Sequence, residues 1–98
     1  MNIEINTLSP GVPAHIIRYI KEVIRLAKVH EKRIDNATVT LMEKGYFDAN
    51  WYICELGFTV HGQSYLITKK ASSYFGAVYD ASQDLFHKVR SNSLFHYN

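Results

Sequence analysis

Five cations between positions 18 and 32 are spaced for work on an anionic surface. Arg18, Lys21, Arg25, Lys28 and Lys32 follow one another at intervals of three, four, three and four residues. On a helix, those intervals bring the side chains onto one flank. Like charges stacked in this way repel by roughly a few tenths of a kcal/mol per pair, so the stripe slightly opposes the helix that carries it. Glu22 and Glu31 relieve neighbours three or four residues away but lie outside the stripe. A merely solvated helix face would mix signs along its length. An unbroken stripe suits phosphate, because an ammonium offers a point charge and a guanidinium can pair two phosphate oxygens at once. Binding of that kind weakens steeply with salt and reads little base sequence.

Further cations stand elsewhere. Lys88 and Arg90 close a second helical pattern, where positive charge also complements the helix macrodipole. Lys69 and Lys70 end a strand-like run just before that helix, either extending the positive surface or marking a solvated strand end. Tyr46, Phe47, Trp51 and Tyr52 are aromatic groups of the kind that stack on bases, although core or sheet packing is their more ordinary use. Should Trp51 and Tyr52 line an uncovered sheet face, they would form an apolar patch for self-association.

Catalysis finds no support in the remaining residues. The five histidines, His15, His30, His61, His87 and His96, show no HxxxH spacing, and the one cysteine leaves no CxxC pair. No Gly-rich phosphate loop, nucleophile elbow or spaced carboxylate pair is present. Cys54 lies in a strand-like run and reads as a small buried hydrophobe, with no disulfide partner in the chain. A binding protein without catalytic residues, metal or cofactor is the expectation.

The elements that must hold these groups follow from periodicity. Ile3 and Ile5 alternate with polar neighbours, a short half-buried strand. After the turn cluster LSPGVP, a helix opens at Pro10 or Pro13 and runs to about Ile34. Its buried stripe is Ile16, Ile20, Val23, Ile24, Ala27 and Ile34. From Ala37 the period drops to two, giving a second strand through Met42 and then a loop carrying Tyr46 and Phe47. WYICELGFTV, a turn at His61-Gly62 and QSYLITKK form a hairpin. Ser72 or Ser73 caps a last helix, with Phe75, Val78, Tyr79, Ser82, Leu85, Phe86 and Val89 as its inward stripe. The tail SNSLFHYN has no clear period, and residues 91–98 are expected to fray or dock through Leu94 and Phe95.

The order is β-α-β-β-β-α, an α+β fold: a four-stranded sheet with two helices side by side on one face. Its 98 residues suit one domain, 1–98, with a single modest core. The net charge of +2 permits a nucleic-acid partner without demanding one, so placement matters more than total. Six of the eleven Lys and Arg residues lie between positions 18 and 33, which is why attention falls on the first helix. No apolar run approaches the roughly 18–20 residues that cross a bilayer, and no secretory signal opens the chain, so a cytoplasmic, reducing location is expected.

The chain resembles the ribosome hibernation-promoting factors, the family that includes ribosome-associated inhibitor A. Arg25-Leu26-Ala27-Lys28 matches a basic segment of that family's first helix. SYFGAVYDASQDLFHKVR, from Ser73 to Arg90, follows the pattern of its last helix at Phe75, Ala77, Val78, Ala81, Leu85, Val89 and Arg90. Val60-His61-Gly62 stands where the family turns between its last two strands. The resemblance covers roughly residues 3–90 and implies the fold just given. It also implies binding to the small ribosomal subunit through ribosomal RNA, steric inhibition of translation in stressed cells, and no enzymatic activity. Arg25, Lys28 and Arg90 match basic family positions, with Lys88 at a polar position beside Arg90. Arg18, Lys21 and Lys32 extend the ridge by spacing alone. The chain departs at Asp84, where the family has Lys, and at Phe86 and His87, and it looks like a short form lacking the family's second domain. The implied surface is a two-helix wall facing RNA, with most of its charge on the first helix. The alternative is a homodimeric or protein-interaction module working through the open sheet face.

Overall fold

Strand β1, Ile3–Thr7, and strand β2, Ile34–Tyr46, are parallel neighbours, so the chain must cross over between them. Helix α1, Ala14–His30, makes that crossover. β2 then turns back into β3, Ala49–Val60, and β3 into β4, Gln63–Ala71, both pairings antiparallel. Helix α2, Tyr74–Ser91, follows, and the sheet order is β1-β2-β3-β4. The computed structural model describes residues 2–60 and 62–91, the last two by backbone alone. The α+β order and the four-stranded sheet are as the sequence pattern predicts. His61 of the expected turn and residues 92–98 of the tail lie outside the described residues.

Alternation assigns the two sheet faces. Ala37, Val39 and Leu41 of β2 are buried, as are Cys54, Leu56, Phe58 and Val60 of β3 and Ile67 of β4. The register sets Val39 against Leu56 and Leu56 against Ile67, so these side chains share one face. Both helices cover that face. Ile16, Ile20, Val23, Ile24 and Ala27 come from α1, and Tyr74, Ala77, Val78, Ala81 and Leu85 from α2. Each fully buried isoleucine contributes about 1.5–3 kcal/mol over an exposed one, enough to hold α1 on the sheet despite its repelling cations.

Three features differ from expectation. α1 ends at His30 rather than near Ile34, because the next residues gain more outside the helix. The Glu31 N–H still donates to the Ala27 carbonyl at 2.8 Å, while the Glu31 carboxylate accepts from the Arg33 backbone N–H at 3.0 Å and from its guanidinium twice at 2.7 Å. Ile34 then opposes Val60 in the sheet. β2 runs to Tyr46 and β3 starts at Ala49, so the expected loop shrinks to the two-residue turn Phe47-Asp48. Cross-strand pairing along the whole hairpin outweighs the weak strand preference of Lys44-Gly45.

The third difference is a rotation of α2. Tyr74, Ala77, Val78, Ala81, Ser82 and Leu85 are buried, whereas Phe75 and Tyr79 are exposed. Small Ala77 and Ala81 let the helix approach the sheet closely, and the rings of Phe75 and Tyr79 turn outward while Tyr74 packs inward against Tyr52. Ser82 is tolerated inside because its hydroxyl donates to the Val78 carbonyl at 2.7 Å. Ser73 is the residue that caps α2, its Oγ accepting the Gly76 N–H at 3.0 Å. α1 has Pro13 at its N-cap, with no side-chain bond there.

Candidate nucleic-acid interface

α1 presents its cations on the flank away from α2. At about 100° per residue, Arg18, Lys21, Arg25 and Lys28 centre roughly 140° from Tyr19, Leu26 and His30. Those three residues look toward α2: the Tyr19 and Phe75 rings lie 5.8 Å apart, and Leu26 and His30 line one cavity with Phe86 and Val89. The ridge therefore forms an outer edge of the helix layer and does not line the groove between the helices.

Its members are not equivalent. Arg18 and Arg25 are exposed and Lys21 half-buried. Arg25 pairs with Glu22 three residues earlier, in a contact so open to water that it holds the guanidinium only loosely. Lys28 is committed elsewhere: its ammonium donates to the backbone carbonyls of Lys32 and Ile34 and closes the α1–β2 connection. Lys32 lies beyond the helix end, exposed in the connecting turn. The part of the ridge open to solvent is thus Arg18, Lys21 and the loosely held Arg25, with Lys32 beyond its end.

Lys88 of α2 stands apart from it. It centres roughly 130° from Phe75, Phe86 and Val89, the residues facing α1, and so lies on the opposite outer flank. There it donates to Asp84 at 3.0 Å, an exchange that cancels much of its field. The Arg90 side chain lies outside the described residues. Among the described residues, Lys88 therefore does not join the ridge in the expected single wall of two helices, and the α1 edge carries the net charge. Helical spacing reveals which residues share a flank, but the direction of that flank depends on where the neighbouring helix packs.

The β4 lysines and the aromatic pair divide between the two sheet faces. Lys69 is half-buried on the helix side, opposite Cys54, while Lys70 points from the open face with its Nζ 5.0 Å above the Trp51 ring. Tyr52 faces the helices and meets Tyr74 edge-on, with centroids 4.7 Å apart. Adjacent strand residues point to opposite faces, so Trp51 and Tyr52 cannot share one patch. Thr38, Thr40, Glu55, Thr59 and Thr68 otherwise share the open face with Met42, Ile53 and the exposed Leu66. The exposed aromatic surface that sequence reasoning missed is on the helices: Phe75 and Tyr79, stacked at 6.0 Å. Their i, i+4 spacing was the available signal, and it was assigned to the core.

Cys54 is completely buried, and burial pushes its thiol up to about 12, with the Glu55 charge adding to the shift. Among the described residues, no three of His, Cys, Asp or Glu converge as a metal site would require, and no helix is long and apolar enough to cross a membrane.

Two solved structures have this architecture. A ribosomal subunit interface protein from Coxiella burnetii superposes with a TM-score of 0.76 at 8% identity, covering 96% of this chain and 99% of that one. The N-terminal domain of Protein Y from Thermus thermophilus superposes with a TM-score of 0.74 at 16% identity, covering 93% and 98%. The chain has their fold. It is the fold that the resemblance read from RLAK and the last helix implies. No protein-family profile matches the chain, and no curated protein sequence matches it.

Proposed function

We propose that this protein binds the small ribosomal subunit by laying the outer edge of α1 on ribosomal RNA, and that it inhibits translation by occupancy alone. The observation that carries the reading is the exposed edge of Arg18, Lys21 and Arg25, set on the fold of a ribosomal subunit interface protein. Rigid helical presentation suits structured RNA, which is recognised by its shape, phosphates and 2′-hydroxyls. Lys32 prolongs the edge. Lys28 adds charge nearby while its ammonium stays on the backbone, and Lys88 with Arg90 supplies a second, weaker contact across the layer. Lys69 and Lys70 are peripheral to it. The setting would be a cytoplasm in which idle ribosomes are held inactive under stress, and no chemical step is required.

Co-sedimentation with purified small subunits at low and moderate salt tests the reading. Retention at low salt, lost as salt rises, is expected, together with at least tenfold weaker retention of an Arg18→Glu, Lys21→Glu, Arg25→Glu variant. Equal retention of that variant, or no sedimentation of the wild type at low salt, would overturn the proposal.

A further inference from the structure

The outer surface of the helix layer is graded in character from one side to the other. Arg18, Lys21 and Arg25 hold the α1 edge. Inward of them, Leu26 and Val29 are 50% and 65% exposed, and across the groove Phe75 and Tyr79 are 53% and 45% exposed. Tyr19 extends this apolar strip toward α1, and Phe86 and Val89 floor its far end over a cavity of about 410 Å³. Beyond the strip, the far side of α2 carries Asp80 and Asp84, and since Lys88 pairs with Asp84 at 3.0 Å, Asp80 supplies the excess negative charge of that rim. Two stacked rings and two aliphatic side chains half open to water form a contiguous apolar patch rimmed by opposite charges.

We propose that this helix layer is the contact face of a homodimer, with the two-fold axis parallel to the helices. α1 of one protomer then lies over α2 of its partner. The charges choose this arrangement. Two copies apposed through one face have their two-fold axis in the plane of contact, either along the helices or across them. An axis across the helices sets the cationic edge against its own copy and Asp80 against Asp80. An axis along them brings Lys21 and Arg25 to the level of the partner's Asp80, with Arg18 about a turn and a half away, while the apolar strip meets itself.

The levels along the helices agree. Phe75 stands beside Tyr19, and Phe86 stands beside Leu26 and His30. Asp80 lies between Phe75 and Phe86 in α2, so it is level with the Glu22–Arg25 turn of α1. The open sheet face has no such gradient, since its apolar residues Met42, Trp51, Ile53 and the exposed Leu66 are scattered there among threonines, Glu55 and Lys70. The dimer stands without the RNA reading, and because it covers the α1 edge it is a state that RNA binding along that edge would exclude.

Sedimentation velocity on the full chain, with no RNA present, decides the matter. A monomer–dimer equilibrium in the micromolar range is expected, and Phe75→Glu should raise the dissociation constant at least tenfold with an unchanged circular dichroism spectrum. Leu26→Lys provides a second apolar break should Phe75→Glu fold poorly. Arg25→Asp and Asp80→Arg should each weaken the dimer about fivefold, and the double variant should recover most of that loss. A monomer at all concentrations up to about 0.5 mM, a dimer indifferent to Phe75→Glu and Leu26→Lys, or a double variant with no recovery would overturn the proposal.

Discussion

The ammonium of Lys28 donates to the backbone carbonyl of Ile34, the first residue of β2. One side chain of the basic stripe thus ties the end of the crossover helix to the strand that follows it. The same ammonium also donates to the carbonyl of Lys32 in the connecting turn.

This tie separates stability from RNA binding within one stripe. Lys28→Met should cost about 1 kcal/mol, taking charge-assisted bonds at a discount for their exposure, and urea denaturation measures it. Arg18→Met, whose side chain is exposed with no ion pair among the described residues, should change stability by less than about 0.5 kcal/mol.

Phe47 is strained. It occupies the first central position of the β2–β3 turn with φ 57°, a region that glycine enters freely and a bulky residue does not. Its ring is also fully exposed, so nothing in the fold rewards it. Phe47→Gly should therefore stabilise the protein by about 1 kcal/mol, read as a higher urea midpoint with unchanged slope.

Trp51 is the single tryptophan and looks away from the helix layer, beneath Lys70. Binding of RNA along the α1 edge should leave its emission unchanged while an end-labelled RNA reports saturation by anisotropy. Quenching in step with saturation would indicate base stacking on the sheet face instead. Lys70→Ala should alter the free-protein emission, with a stability loss of about 0.5–1 kcal/mol from the lost cation–π contact.

Cys54 makes stability fall in alkali. Its folded thiol titrates near 12 against an ordinary 9.0, so the unfolded chain releases its proton first as pH rises. Stability is unaffected below about pH 9 and falls by about 1.4 kcal/mol per pH unit between there and the folded value. Tyr74 steepens the fall above about pH 10, because burial foremost, and the Glu43 charge after it, raise its hydroxyl as well. Urea midpoints from pH 8 to 10.5 check the sign, and Cys54→Val should flatten the part below pH 10. For the same reason, thiol reagents should modify Cys54 only as fast as the protein opens.

The element order, the sheet and the inward face of α1 were legible in the sequence because they rest on periodicities set by backbone geometry. Ile16, Ile20 and Val23 recur at helical spacing, and Val39 and Leu41 at strand spacing, whatever surrounds them. The chemistry of the cationic stripe was legible for the same reason. Three things were decided only by packing. α2 turned its alanines inward and left Phe75 and Tyr79 outside, since closeness to the sheet outweighed the size of the rings. Trp51 and Tyr52, neighbours in sequence, went to opposite faces once β3 found its register. The ridge and Lys88 went to opposite edges because each helix spends one side on the sheet and another on its neighbour. Sequence spacing determines which side chains travel together around an element. Only the tertiary contacts determine which way that element is turned.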